Sequence, residues 1–400
     1  MKRIWIVTHF CSDFESKGNN RFNYLAKHLA EQGYIVDFIT SDFSHVKKRP
    51  RTADAADDSY RVSLVHEPGY RKNVGFGRLY SHRVFGKNLK RLFTQLERPD
   101  VVYLAIPSLD AGRVTAEYCR THHIPLAIDV QDLWPEAFCL ATRKYHIPEW
   151  AFAPMKKAAD FIYSSADYVL SVSETYLERA NRARKEPNGQ CVYIGTDLAV
   201  FDGYPPIAVD KPQGELWIAY VGTLGSSYDI RIILDALRLL MEKGIGGFRF
   251  QVFGDGPHLE MLKEYAQGLP VDFHGRVLYK DLAGWVRQCD IAVNPIVKGA
   301  AQSIINKHAD YAAAGLPVVS TQECPEYRAL LDTFDCGINC PPEDAQAVAD
   351  ALEKLLRDAD LRRAMGQNSR RMAEERFDRA YTYPQIVASL QKIVYQDTEK

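Results

Sequence analysis

The chain has 400 residues, 46% of them apolar and 25% charged, with 50 basic against 51 acidic side chains and a formal net charge of -1. That length predicts two or three domains with an ample core, and the near-neutral balance excludes a global preference for nucleic acid or membrane, so any charge-driven function is local. Eight cysteines, at 11, 119, 139, 191, 289, 324, 336 and 340, form no C-x-x-C pair and lack histidines at zinc-finger spacing, which predicts free thiols in a reducing compartment and no metal centre.

Ile4–Thr8 is too short for a signal peptide and reads as a first strand; no apolar run reaches membrane length, and the expected location is cytoplasmic. A loop with Cys11, Ser12, Asp13, Ser16, Lys17, Gly18, Asn19 and Asn20 follows. Phe22, Leu25, Ala26 and Leu29 then repeat at helical spacing up to Gly33, and Ile35–Thr40 is the next strand, which completes a βαβ unit whose first turn lies where open sheets hold ligands. Residues 44–60 are polar and read as a loop. Between Arg71 and Arg98 the chain carries Arg71, Lys72, Arg78, Arg83, Lys87, Lys90, Arg91 and Arg98 among Tyr70, Phe76, Tyr80, Phe85 and Phe93, with Glu97 as the single acid. That composition suits an interfacial surface; the competing reading packs the rings beneath the domain and leaves the cations as the solvated face of a long helix. Val101–Ala105 and Leu126–Val130 are strands, and the second runs into D-V-Q-D-L-W-P-E. Acids beside a Trp-Pro turn at a strand's carboxyl end are placed for chemistry, although Asp132 serves equally as a cap for the turn. Tyr168–Ser171 and Cys191–Ile194 complete the first half, and the Pro- and Gly-rich stretch from Asp202 to Gly214 reads as a linker.

The βα alternation then restarts. Leu216–Val221 leads into the turn of Gly222, Thr223, Leu224 and Gly225, whose glycines let backbone N–H groups approach phosphate oxygens. Ile230, Ile233, Leu234, Leu237, Leu240 and Met241 trace a helix face. Phe248–Phe253 ends in Gly254-Asp255-Gly256-Pro257, a tight β–α turn, and Phe273 to Arg276 ends the next strand. Asp290–Pro295 and Leu316–Ser320 are buried strands bracketing a helix predicted to begin near Ser303. With Ser303 as its cap, Lys307, Asp310 and Ala314 share one face: a cradle for phosphate with a carboxylate one turn deeper for ribose hydroxyls. The competing reading is a solvated i,i+3 ion pair. The small residues Ala312, Ala313, Ala314 and Gly315, and the helix's position after a strand, favour the ligand. Helices from Asp344 to Glu375 and from Tyr383 to Tyr395 close the chain.

The run S-I-I-N-K-H-A-D-Y-A-A-A-G-L-P-V-V, together with the G-D-G-P turn and D-x-x-D-L-W-P-E, resembles the family 4 glycosyltransferases of the GT-B fold, in particular their bacterial surface-polysaccharide branch serving capsule and O-antigen. The resemblance implies an α/β protein of two Rossmann-like domains facing a central cleft: 1–202 for the acceptor, a linker at 203–214, 215–376 for the nucleotide-sugar, and 377–400 as a helix crossing back. It further implies retaining transfer of a hexosyl or N-acetylhexosaminyl group from a nucleotide-diphosphate donor, a UDP-sugar, to a lipid-linked glycan, with neither cofactor nor metal and no nucleic-acid partner, at the inner face of the cytoplasmic membrane. The donor positions it implies are Gly222, Thr223, Gly225, Arg276, Gln302, Ser303, Asn306, Lys307 and Asp310, with Gly18, Asn19 and Arg21 behind them. Gln131 or Asp132 would take the polar role that a histidine has in many members. Gln302 and Asp310 stand where the family has a Glu-x7-Glu pair, and the turn at 222–227 lacks the family's arginine and lysine, which shifts the phosphate charge onto Lys307. Two alternatives share the fold: a UDP-sugar 2-epimerase and a catalytically silent partner subunit.

Overall fold

The computed structural model describes residues 1–14, 20–54, 56–73, 75–142, 148–300 and 303–396. The chain divides into two compact units, one of Met1–Tyr193 with Thr382–Lys400 and one of Ile194–Tyr381. The division does not fall at the expected 202/203 and 376/377, and the reason is local. Buried Arg379 donates to the carbonyls of Ile194 and Gly195 at 3.1 Å each, while Thr196 N–H donates to the Phe377 carbonyl at 2.8 Å. Gly195 has φ +62°, and a Cβ there would stand 2.2 Å from the Phe377 carbonyl oxygen, so only glycine permits the join. The expected linker also packs on the second unit, where Gln288 Nε2 donates to the Ile207 carbonyl at 2.6 Å and Lys211 pairs with Asp290.

The first unit is built on a seven-stranded, wholly parallel sheet of β1 (Arg3–Thr8), β2 (Ile35–Ser41), β3 (Arg61–Val65), β4 (Val101–Ile106), β5 (Leu126–Val130), β6 (Tyr168–Ser171) and β7 (Gly189–Cys191), in the order β3-β2-β1-β4-β5-β6-β7. Central strands covered by helices on both faces read as unbroken apolar runs, and every residue of β4 is buried. Edge strand β3 is half-buried along most of its length, which is why no such run marks it in the sequence. Asn20 caps the helix Arg21–Glu31 by accepting from the N–H groups of Phe22 and Asn23, and Phe22, Leu25, Ala26 and Leu29 enter the core as their spacing predicts. The terminal helix Pro384–Gln396 adds Ile386, Val387, Leu390 and Ile393 to that core.

The second unit repeats the plan with six parallel strands: β8 (Leu216–Val221), β9 (Phe248–Phe253), β10 (Val271–Gly275), β11 (Ile291–Asn294), β12 (Val318–Ser320) and β13 (Gly337–Asn339), in the order β10-β9-β8-β11-β12-β13. In each unit the order reverses between the first strand and the fourth. Ligands of such sheets bind at the carboxyl ends of the strands flanking that reversal, here β1 with β4 and β8 with β11. Among the described residues no helix is long and apolar enough to cross a membrane.

Candidate functional site

In the second unit the strand ends present two turns stacked backbone on backbone. Gly222 N–H donates to the Phe253 carbonyl at 2.9 Å and Leu224 N–H to the Asp255 carbonyl at 3.0 Å. A Cβ on Gly254 would lie 1.8 Å from the Gly222 oxygen, and one on Gly256 would lie 2.3 Å from the Leu224 oxygen, so the G-D-G-P turn is required by close approach. Beside these turns opens a hollow of about 440 Å³ lined by Gly222, Thr223, Asp255, Gly256 and the exposed Arg276.

Lys307 stands behind the Gly222 turn. Its side chain is buried, its ammonium has no hydrogen-bond partner, and it lies 4.6 Å from the Tyr220 ring centre and 4.1 Å from that of Tyr228. A Cβ on Gly222 would be 3.7 Å from Nζ, so only a glycine's width separates the ammonium from the turn. Burial without a counter-ion pushes this amine well below the ordinary lysine range. An anion arriving at the turn would supply the missing charge.

Three residues along, Asp310 is also buried. Its Oδ1 accepts from the Tyr279 hydroxyl at 2.7 Å, and Tyr279 is 2.9 Å from Thr196 Oγ1. Burial pushes the Asp310 carboxyl up to about 6, opposed by the Tyr279 hydrogen bond and by the charge of Arg379. Tyr279 and Arg379 escape a reading by motif, because each reaches Asp310 only through the fold.

The helix carrying both residues runs Asn306–Ala313, not from Ser303. Ile305 is extended at φ -117°, ψ 163° and occupies the cap position, where its N–H donates to Nδ1 of His308 at 3.2 Å. Ser303 does not cap: its Oγ is buried without a partner, and its carbonyl accepts from Gln322 Nε2 at 2.9 Å. Nor is Lys307 part of a solvated ion pair with Asp310.

In the first unit the polar groups at the strand ends are mostly committed to one another. Arg21 forks onto Asp129 at 2.8 and 3.2 Å and donates to the carbonyls of Val192 and Tyr193. Asp129 also accepts from Tyr103 and, at 2.6 Å, from Nε2 of Gln131. Arg21 is thus a structural ion pair rather than a ligand group, and the Gln131 amide serves it. Asp132 accepts from its neighbour's N–H at Leu133 and from Trp134 Nε1 at 3.2 Å, so it shapes the Trp-Pro turn, with burial raising its carboxyl above the usual range. The sequence reading missed His9 and Glu67. His9 lies between the rings of Phe10 and Phe85, its Nδ1 2.7 Å from Ser108 Oγ and its Nε2 2.8 Å from Glu67. Burial opposes the Glu67 charge, but hydrogen bonds from His9, Ser41 and Ser81 hold its carboxyl down at about 2.

Residues 18–196 match the glycosyl transferase 4-like domain, and residues 215–358 match glycosyl transferases group 1. The chain belongs to the family 4 glycosyltransferases of the GT-B fold. A probable glycosyltransferase, WbjE of Pseudomonas aeruginosa, is 24% identical over 240 residues, which are 56% of this chain and 58% of that relative's length. Among solved structures, sucrose-phosphate synthase of Thermosynechococcus elongatus superposes with a TM-score of 0.73 at 18% identity, covering 99% of this chain and 100% of its own. HepE of Anabaena, solved in complex with UDP-glucose, gives 0.69 at 15% identity, covering 98% and 100%. At such identities these structures speak for the fold alone.

For this glycosyltransferase the second unit brings Gly222, Thr223 and Arg276 to one hollow, with Lys307 behind it and Asp310 on the same helix. Gly225 is buried and off that lining, and Asn306 is exposed at the helix's first position. Gly18, Asn19 and Gln302 lie outside the described residues. Gln131 and Asp132 belong to the first unit.

Proposed function

We propose that this glycosyltransferase moves a hexosyl or N-acetylhexosaminyl group from a UDP-sugar to a lipid-linked glycan, with retention of configuration, in the synthesis of a bacterial surface polysaccharide such as capsule or O-antigen. The observation that carries the donor side is Lys307, a buried ammonium without a partner beside a glycine turn. A diphosphate on that turn meets Lys307 and the N-terminal end of the helix Asn306–Ala313, which stabilise the charge that grows as the sugar C1–O bond breaks. The acceptor oxygen bonds to C1 on the face the phosphate leaves, and its proton passes to the departing phosphate oxygen. Asp310 receives ribose hydroxyls on the oxygen that Tyr279 leaves free. The complex of HepE with UDP-glucose supports a sugar-nucleotide donor.

On the acceptor side, the helix Phe76–Phe93 turns Phe76, Leu79, Tyr80, Arg83, Lys87 and Lys90 outward along one stripe, while Phe85 and Phe93 point into the core. The basic–aromatic segment thus divides between both readings of its sequence, rings packed beneath and a stripe of rings and cations outside. That stripe suits reversible docking on anionic lipid, to which each cation contributes about 1 kcal/mol. Release of UDP from UDP-sugars, measured with and without a lipid-linked glycan, tests the reaction. Acceptor-dependent release with a product of retained configuration is expected. Epimerised sugar nucleotide formed without acceptor would make the protein an epimerase, and failure to bind any nucleotide would make it a silent subunit. For docking, co-sedimentation with anionic vesicles at low salt should be lost at high salt and when Arg83, Lys87, Lys90 and Arg91 are replaced by Ser. Equal partitioning onto neutral vesicles would remove the membrane from the proposal.

A further inference from the structure

The Asp310 carboxylate is held by groups that lie outside its own helix. The Tyr279 hydroxyl, at the start of the helix Tyr279–Val286, donates to Oδ1 at 2.7 Å, and Thr196 Oγ1 lies 2.9 Å from the same hydroxyl. A phenol has one proton to give, and an ionised carboxylate only accepts. The Tyr279 proton therefore points at Asp310, and Thr196 is the donor to Tyr279. The result is a one-way chain from Thr196 through Tyr279 to Asp310, with Oδ2 left without a partner among the described residues.

The far end of that chain is fixed. Thr196 is 1% exposed, its N–H donates to the Phe377 carbonyl at 2.8 Å, and its carbonyl accepts from the Arg379 N–H at 3.0 Å. Tyr279 is braced by the edge of the Tyr204 ring, with ring centres 6.2 Å apart. Phenylalanine would fill the same space, so the hydroxyl between two polar partners is what a tyrosine adds here.

We infer that Tyr279 is a positioning residue for the donor nucleotide: held by Thr196, its hydroxyl fixes one oxygen of Asp310 and turns the other toward the ribose hydroxyls. The inference rests on reading Asp310 as the ribose carboxylate, and it adds the residues that aim and charge it. Without the phenol, the carboxyl loses a hydrogen bond to its charged form while the burial that raises it remains, so it takes up its proton at higher pH. Other groups near Asp310 do not replace the phenol. Arg379 lends a positive charge that is present with or without it, and burial and the Asp310 charge push Tyr279 and Tyr311 above the ordinary tyrosine range, which keeps both protonated. Lys307, on the same helix, is pushed down by burial and titrates as well, so each protein is measured beside its own Asp310→Asn form, in which Lys307 is unchanged.

Titration calorimetry with UDP between pH 5 and pH 8 reads the affinity lost on Asp310→Asn, first in the wild-type chain and then in Tyr279→Phe. UDP serves because its own phosphate titrates alike against both members of each pair. In wild type the loss should be about fivefold at pH 8 and should fade through about pH 6. In Tyr279→Phe it should be about twofold at pH 8, because the carboxylate is no longer aimed, and should fade about one pH unit higher. Thr196→Val keeps the shape, reaches Asp310 only through Tyr279, and should move the curve the same way by less; it carries the test alone if Tyr279→Phe does not fold. A wild-type curve retained in both variants, with urea melts that show only lower stability, would make Tyr279 a structural tie and overturn the inference while Asp310 keeps its ribose role. A wild-type chain indifferent to Asp310→Asn at every pH, or one that binds no UDP, would remove Asp310 from the nucleotide and overturn both.

Discussion

Two buried cations, Arg21 in the first unit and Lys307 in the second, are 4% and 5% exposed and in opposite situations. Arg21 has a carboxylate fork, two carbonyls and the Tyr383 hydroxyl around it, whereas Lys307 has two ring faces and no hydrogen bond. Burying a charge costs several kcal/mol, which Arg21 offsets within the fold. Lys307 has no such partners, and burial drives it toward its neutral form until something anionic arrives. Depth therefore does not separate structural from functional charge; completeness of pairing does.

The largest effect should come from breaking the complete partner set. Arg21→Met leaves Asp129 charged and buried and should lower unfolding free energy by about 3–5 kcal/mol, read from urea melts, while nucleotide affinity measured on the folded fraction stays as it was. A loss under 1 kcal/mol would show that Asp129 does not need its guanidinium.

Lys307→Met, which keeps the volume, should act in the reverse sense. UDP-sugar affinity should fall by roughly 1.5–3 kcal/mol with the loss of a charge-assisted contact, and stability at neutral pH should hold or rise. The sign with pH follows from the lowered pKa. Between the folded value and the ordinary 10.5 the unfolded chain holds a proton that the folded chain has released, so wild-type stability gains with rising pH from this residue up to about 10.5. The variant lacks that gain. Matching slopes for the two proteins would mean that Lys307 stays charged in the unliganded fold.

Asp310→Asn should have the smallest effect, roughly 1 kcal/mol in UDP affinity, because one carboxylate oxygen is already engaged by Tyr279. The loss should be smaller for 2′-deoxy-UDP, which keeps only the 3′-hydroxyl. Wild-type affinity for a UDP-sugar, whose diphosphate carries no terminal phosphate to titrate near pH 6, should also fall as pH drops below about 6, where the acid takes up a proton, and the variant should be flat there. Equal losses for both nucleotides would remove Asp310 from the ribose.

The strands that carry the site are legible as apolar runs because parallel strands covered on both faces are predominantly apolar, as β4 and β8 are throughout and β1 is from Ile4 to Val7; β5 departs at Asp129, which Arg21 pairs, and β9 at Arg249 and Gln251. Lys307 and Asp310 are legible too, as polar residues on a small-residue helix after a strand. Their depth is not: a lysine three residues before an aspartate reads as a surface pair, and only the packing of Tyr220, Tyr228 and Tyr279 makes each of them buried. The cap at Ser303 misled because a serine before a helical run is the usual signal, and here Ile305, extended and bonded to His308, takes that place. His9 and Glu67 lie 58 residues apart and meet only in the sheet, so no spacing announces them.

Lys307 is the incomplete group that a diphosphate completes. Calorimetric titration of UDP at pH 8 in two buffers of different ionisation enthalpy tests that directly, because burial lowers the amine's pKa in the free protein and an arriving diphosphate raises it, which draws a proton onto Lys307 on binding. Wild type should show proton uptake, and Lys307→Met should show none, with affinity at least about tenfold weaker. Equal affinities and equal heats in the two buffers for both proteins would contradict it.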